Sequence, residues 1–178
     1  YGNEIGEDIK AFIGLVQMTL KEEIGVADRD AMNRVATLIV EHDKYLKTYP
    51  NSIVIDEVRE KRDWLRTVYF LESTCKAEKL KADTEYVLDS FKDVIQFYPG
   101  TDLEKMTQDF ITVWTQSGKT FSPVLEAFVE YYDSGIKNTE FGLLEGETPE
   151  GQKYPKAVGI ESTGLIETRV INMLLNGL

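Results

Sequence analysis

The sequence predicts an all-α protein, and three observations carry that prediction. Apolar residues recur with the helical period almost throughout the 178 residues. No alternating apolar and polar run is long enough to compete as a strand, and helix start and stop signals punctuate the chain. About seven helices are expected, paired as antiparallel hairpins in a short array or bundle, within a single domain spanning 1–178.

The first helix is expected over roughly 4–23, where Ile5, Ile9, Phe12, Ile13, Val16 and Leu20 form one stripe before Gly25, a stop signal. Asp28 or Asp30 caps the second, roughly 30–48, with Met32, Val35, Ala36, Ile39 and Leu46 inward and Pro50 ending it. Asn51 or Ser52 caps a long third helix lined by Val54, Val58, Leu65, Val68 and Cys75, and the chain turns somewhere between Ala77 and Asp83. A fourth helix follows from Asp83 or Thr84, carrying Val87, Leu88, Phe91, Val94, Ile95 and Tyr98 up to Pro99. Thr101-Asp102-Leu103-Glu104 reads as a capping box opening a fifth helix that stops near Gly118. Ser122-Pro123 opens a sixth, with Val124, Leu125, Phe128, Val129 and Tyr132, closed by Gly135. From 136 to 161 four glycines and two prolines break the periodicity and predict a long loop; residues 162–178 then form a terminal helix with Ile166, Val170, Met173 and Leu174.

Composition narrows the function classes. With 20 Lys and Arg against 31 Asp and Glu the net charge is −11, and no basic half or tail offsets it. Phosphate backbones and anionic lipid surfaces are bound through clustered cations, so nucleic acid is not an expected partner. Hydrophobic residues at 42 %, with 8 Phe, 9 Tyr and 2 Trp, describe a chain that folds. Cys75 is the only cysteine and His42 the only histidine, which excludes an internal disulfide and a Cys/His metal cluster; neither a metal nor a cofactor is expected. No apolar run approaches the length of a membrane span. The chain begins at Tyr1 without an initiating methionine, so a cleaved signal or lipid anchor upstream would not be visible in it.

Sliding the chain against itself aligns Tyr49-Pro50-Asn51-Ser52 with Tyr98-Pro99-Gly100-Thr101, each between the end of one helix and the start of the next. On these residues the chain resembles tetratricopeptide repeat proteins over 5–135, and the Tyr-Pro-x-Ser/Thr junction is similar to that of bacterial outer-membrane assembly lipoproteins that carry such repeats. The resemblance implies three stacked hairpins, with Pro50 and Pro99 closing the first two, and a location in the periplasm or cell envelope; the alternative is the cytoplasm. The chain departs from that family in its 49-residue period. It also places Leu38, Tyr45, Val87 and Val94 where the family has small residues, and His42 where Phe91 keeps the expected aromatic.

Little catalytic chemistry is legible. His42 has no nucleophile at a recognisable spacing and reads as a partly exposed structural histidine, and Cys75 as core filler. The acid clusters Glu22/Glu23, Asp28/Asp30, Asp56/Glu57/Glu60 and Glu145/Glu147/Glu150 sit in no catalytic or metal-binding motif. Aromatic residues are the more informative group, because aromatic anchors are enriched where proteins bind each other. Phe141 and Tyr154 in the expected loop, with Tyr131 at the end of the sixth helix, are the candidate partner-binding residues. The expected function is a noncatalytic scaffold that binds a protein or peptide, in an oligomeric state that the sequence leaves open. The alternative is an enzyme or small-ligand binder whose pocket lies under the 136–161 loop and is lined by carboxylates and tyrosines.

Overall fold

The structure, a computed structural model, describes residues 5–22, 24–79, 85–134, 143–147 and 153–157. The fold is all-α, as the periodicity predicts. Among the described residues the helices are α1 (Glu7–Lys21), α2 (Arg29–Thr48), α3 (Ile55–Arg66), α4 (Ser73–Lys79), α5 (Glu85–Phe97), α6 (Asp102–Gln116) and α7 (Pro123–Tyr131). A π-helical segment, Thr67–Glu72, joins α3 to α4, so the long helix expected after Pro50 is one rod with a π turn inside it. Of the turn expected between Ala77 and Asp83, the described residues reach only Lys79, which is still in α4; the rest of it, and the terminal helix expected at 162–178, lie outside the described residues.

Residues 136–161 were expected as irregular loop, and this is corrected in part. Strands β1 (Leu143–Glu147) and β2 (Lys153–Ala157) pair antiparallel, with Gly146 opposite Tyr154 and Glu145 opposite Pro155. Proline is excluded only from central strands, and in a two-stranded ribbon both strands are edges, so Pro155 does not forbid the pairing.

Contacts divide the chain into two compact units, Tyr1–Gln108 and Asp109–Leu178. In the first, α2 is the centre, packing against α1, α3, the π segment and α5. Its sequence allows this because Met32, Val35, Ala36, Leu38, Ile39, Val40 and Tyr45 are buried around most of its circumference. Leu38, Tyr45, Val87 and Val94, the bulky residues at the resemblance's small positions, all lie in this core. Tyr69, Phe70 and Phe91 form an aromatic cluster with ring centroids 4.9–5.8 Å apart. In the second unit Phe128 sits between Phe110, at 5.8 Å, and Tyr132, at 5.2 Å. There β2 runs beside α7.

The two Tyr-Pro junctions share their backbone bonding. The Tyr49 amide donates to the Tyr45 carbonyl at 2.9 Å and Ser52 to Tyr49 at 3.1 Å; Tyr98 donates to Val94 at 3.0 Å and Thr101 to Tyr98 at 3.3 Å. Each is a helix end followed by a four-residue turn with proline at its first corner. Gly100 has φ +76°, the left-handed second corner of a type II turn, whereas Asn51 has no positive φ. Thr101 caps α6 as predicted, accepting the Glu104 amide at 3.1 Å, while the Glu104 carboxylate takes the Gly100 amide at 2.6 Å. Ser52 is not a cap: α3 starts three residues later behind Val54, which caps it with no side chain. Of the two aspartates expected to cap α2, Asp28 does so, accepting the Ala31 amide at 2.8 Å. At the end of α6, Gly118 at φ +70° closes a Schellman motif, with Lys119 bonded to the Trp114 carbonyl and Gly118 to Thr115.

Candidate functional site

Three polar clusters organise the first unit. In the first, donors run in one direction toward a carboxylate. The Ser90 hydroxyl donates to Asn33 Oδ1 at 2.7 Å, so its single proton is committed and Tyr69 OH, 3.0 Å away, is the donor to Ser90. Asn33 in turn donates to Asp93 at 2.7 Å, and Arg29 grips the same carboxylate with two bonds of 2.6 Å. The Arg29 guanidinium holds the Asp93 carboxyl below its usual range, and burial raises the Tyr69 hydroxyl far above its own. Tyr69 lies in the π segment, whose widened turn is bridged by hydroxyls: Ser73 donates to the Tyr69 carbonyl at 2.5 Å and Thr74 to Phe70 at 2.8 Å.

The second cluster joins α2 to α3. Asp43 is nearly buried, with Arg62 and Arg66 each 3.3 Å away; burial raises its carboxyl despite the two guanidinium groups that oppose the shift. Beside it His42 is buried rather than partly exposed, which corrects the sequence expectation. Its Nδ1 lies 2.7 Å from the Leu38 carbonyl, which accepts only, so Nδ1 carries the proton of a neutral ring. Burial lowers its pKa below the ordinary value, so the ring serves as a neutral core group. In the third cluster Ser52 donates to the Asp8 carboxylate at 2.8 Å and lies 2.8 Å from Tyr45 OH, fastening the start of α1 to the first junction.

The geometry of these clusters is that of structural polar networks, each tying two or more helices of the unit together. Among the described residues no three His, Cys, Asp or Glu side chains come together as a metal site, and no helix is long and apolar enough to cross a membrane. Cys75 is half-buried rather than core. Of the candidate binding residues, Phe141 lies outside the described residues. Tyr154 is placed in β2 and Tyr131 as the last residue of α7 by their backbones alone. Of the stretch 136–161, beneath which a pocket was expected, the described residues include only the backbones of β1 and β2.

What the sequence reading missed is on α1. The residues from Ile5 to Leu20 read in sequence as one stripe, but the helix divides it. Phe12 packs, with Ala11 and Leu15, against Tyr45 and Val58. Ile13, Val16 and Leu20 are 43, 38 and 79 % exposed, and Ile5 just before the helix is 52 % exposed. With the partly buried Ile9 they follow one another at helical spacings of four and three residues, a continuous apolar ridge on the outside of the unit. The signal for it was the width of the apolar arc, broader than a helix packed on one side can cover. No family model matches the chain, and no curated protein or solved structure matches it either.

Proposed function

We propose that the protein is a noncatalytic helical scaffold that binds another protein or a peptide. The observation that carries this reading is the exposed apolar ridge of α1, since a run of large aliphatic side chains left in water is characteristic of an interaction surface. The polar clusters support it, because their side chains are spent on holding the helices in place. A place in the bacterial cell envelope, and the repeat-like hairpin arrangement, rest on the resemblance carried by the Tyr-Pro-x-Ser/Thr junctions. Photo-cross-linking from position 13 in intact bacteria tests the binding reading: a discrete protein adduct is expected there and none from exposed Lys105 on α6. Equal cross-linking at both positions would refute it. Fractionation of the same cells tests the location, which fails if the protein partitions with the cytoplasm.

A further inference from the structure

The outer ridge of α1 has a charged border on its solvent side. Lys10, Gln17 and Lys21 follow one another at spacings of seven and four residues along that edge, all exposed and with no acid among them. Neither lysine has an ion-pair partner among the described residues, although the chain carries a net charge of −11. The opposite edge is closed by Phe12 on Tyr45, ring centroids 6.5 Å apart.

We infer that this ridge is the docking site for an amphipathic helix of another protein, apolar along one stripe and acidic along its flank. The inference rests on the scaffold reading and names the partner's chemistry. Within α1 the backbone donors and acceptors are spent on the helix itself, so a strand has nothing to pair with and recognition runs through side chains, as when a helix packs ridges into grooves. From Ile9 to Leu20 the ridge is about 16 Å long at 1.5 Å per residue, so the occupant needs about three turns. Charge decides against a second copy of this chain. Two-fold antiparallel pairing of α1 with itself sets one lysine edge against the other, and parallel pairing sets that edge against the side closed by Phe12. An anionic membrane is opposed by the charge of the whole chain. Carboxylates flanking the partner's apolar stripe meet Lys10 and Lys21 without either conflict.

A displayed library of amphipathic helical peptides, with a fixed apolar stripe and randomised flanks, tests this. Asp and Glu should be enriched on one flank. Affinity of a selected peptide, read by fluorescence anisotropy, should fall at least tenfold on Ile13→Asp and on Leu20→Asp. Joint Lys10→Glu and Lys21→Glu replacement should shift preference to lysine-flanked peptides. Far-UV circular dichroism checks folding, and Leu20→Asp decides the result if Ile13→Asp unfolds the protein. Selected peptides with no flank bias, or insensitive to the α1 substitutions, overturn the site on α1 and leave the scaffold reading standing. Failure to select any peptide overturns both. Self-association or binding to anionic vesicles that Leu20→Asp abolishes assigns the ridge to another occupant and overturns the inference.

Discussion

The order of donors from Tyr69 to Asp93 makes an asymmetric prediction. Tyr69 and Ser90 are both fully buried. Tyr69→Phe removes the donor and leaves the Ser90 hydroxyl still giving its proton to Asn33, so the loss is one net hydrogen bond, about 1 kcal/mol. Ser90→Ala does more harm. It strands the Tyr69 hydroxyl without an acceptor at a site water does not reach and takes the donor from Asn33 Oδ1, for about 2 kcal/mol. In the double variant the stranded hydroxyl is gone, and the total should stay at about 2 kcal/mol, a coupling of about 1 kcal/mol. Urea unfolding at pH 7 followed at 222 nm reads all three differences. If Tyr69→Phe costs as much as Ser90→Ala, or if the two costs add, the donor direction assigned here is wrong.

Thr101→Ala should cost about 1 kcal/mol through the lost α6 cap, whereas Ser52→Ala, which loosens Asp8 and Tyr45, should raise hydrogen exchange in α1 rather than at the start of α3. Because the folded pKa of His42 lies below its unfolded value near 6.5, the unfolded chain binds the proton first. Stability should therefore be full above about pH 6.5 and fall as the pH drops below it. Lys61 and Arg62 oppose that proton and Glu41 favours it; the raised Asp43 carboxyl acts in the opposite sense, in the lower window just above its ordinary 3.8. Urea midpoints at pH 7.5 and 5.5 should converge in His42→Leu. Leu20→Ser, at a residue 79 % exposed, should change the thermal unfolding free energy by no more than about 0.5 kcal/mol, and a larger loss would mean that the ridge serves folding.

The elements were legible wherever a local signal and the core agreed. Asp28, Thr101 with Glu104, and Gly118 sit at helix ends because their side chains or backbone freedom satisfy orphan amides and carbonyls nearby in sequence. Ser52 looked the same in sequence, yet its hydroxyl is drawn to Asp8 and Tyr45, partners that only the folded chain brings close. The candidate surface was hidden for a related reason. Periodicity shows that Ile13 and Leu20 share a face, and only the positions of α2 and α3 decide whether anything covers it. Of the aromatic residues proposed for binding from sequence, Phe141 lies outside the described residues and Tyr131 and Tyr154 are placed by their backbones alone, so their roles rest on composition.

The π turn between α3 and α4 has a consequence for phase. About five turns of 3.6 residues separate Lys76 from the buried Val58, so in an uninterrupted α-helix the two would share the inward face and an ammonium would be carried under the core. The wider turn spends one more residue per revolution, and beyond it the inward positions pass to Ser73 and Thr74 while Lys76 stands in solvent. The segment thus works as a gear tooth that resets the helix by one residue. A single-residue deletion between Thr67 and Glu72 that lets the segment close to ordinary α-helix would leave both the length of the rod and the directions of the α4 side chains almost unchanged, whereas straightening the segment at full length would turn every side chain of α4 through roughly 100°.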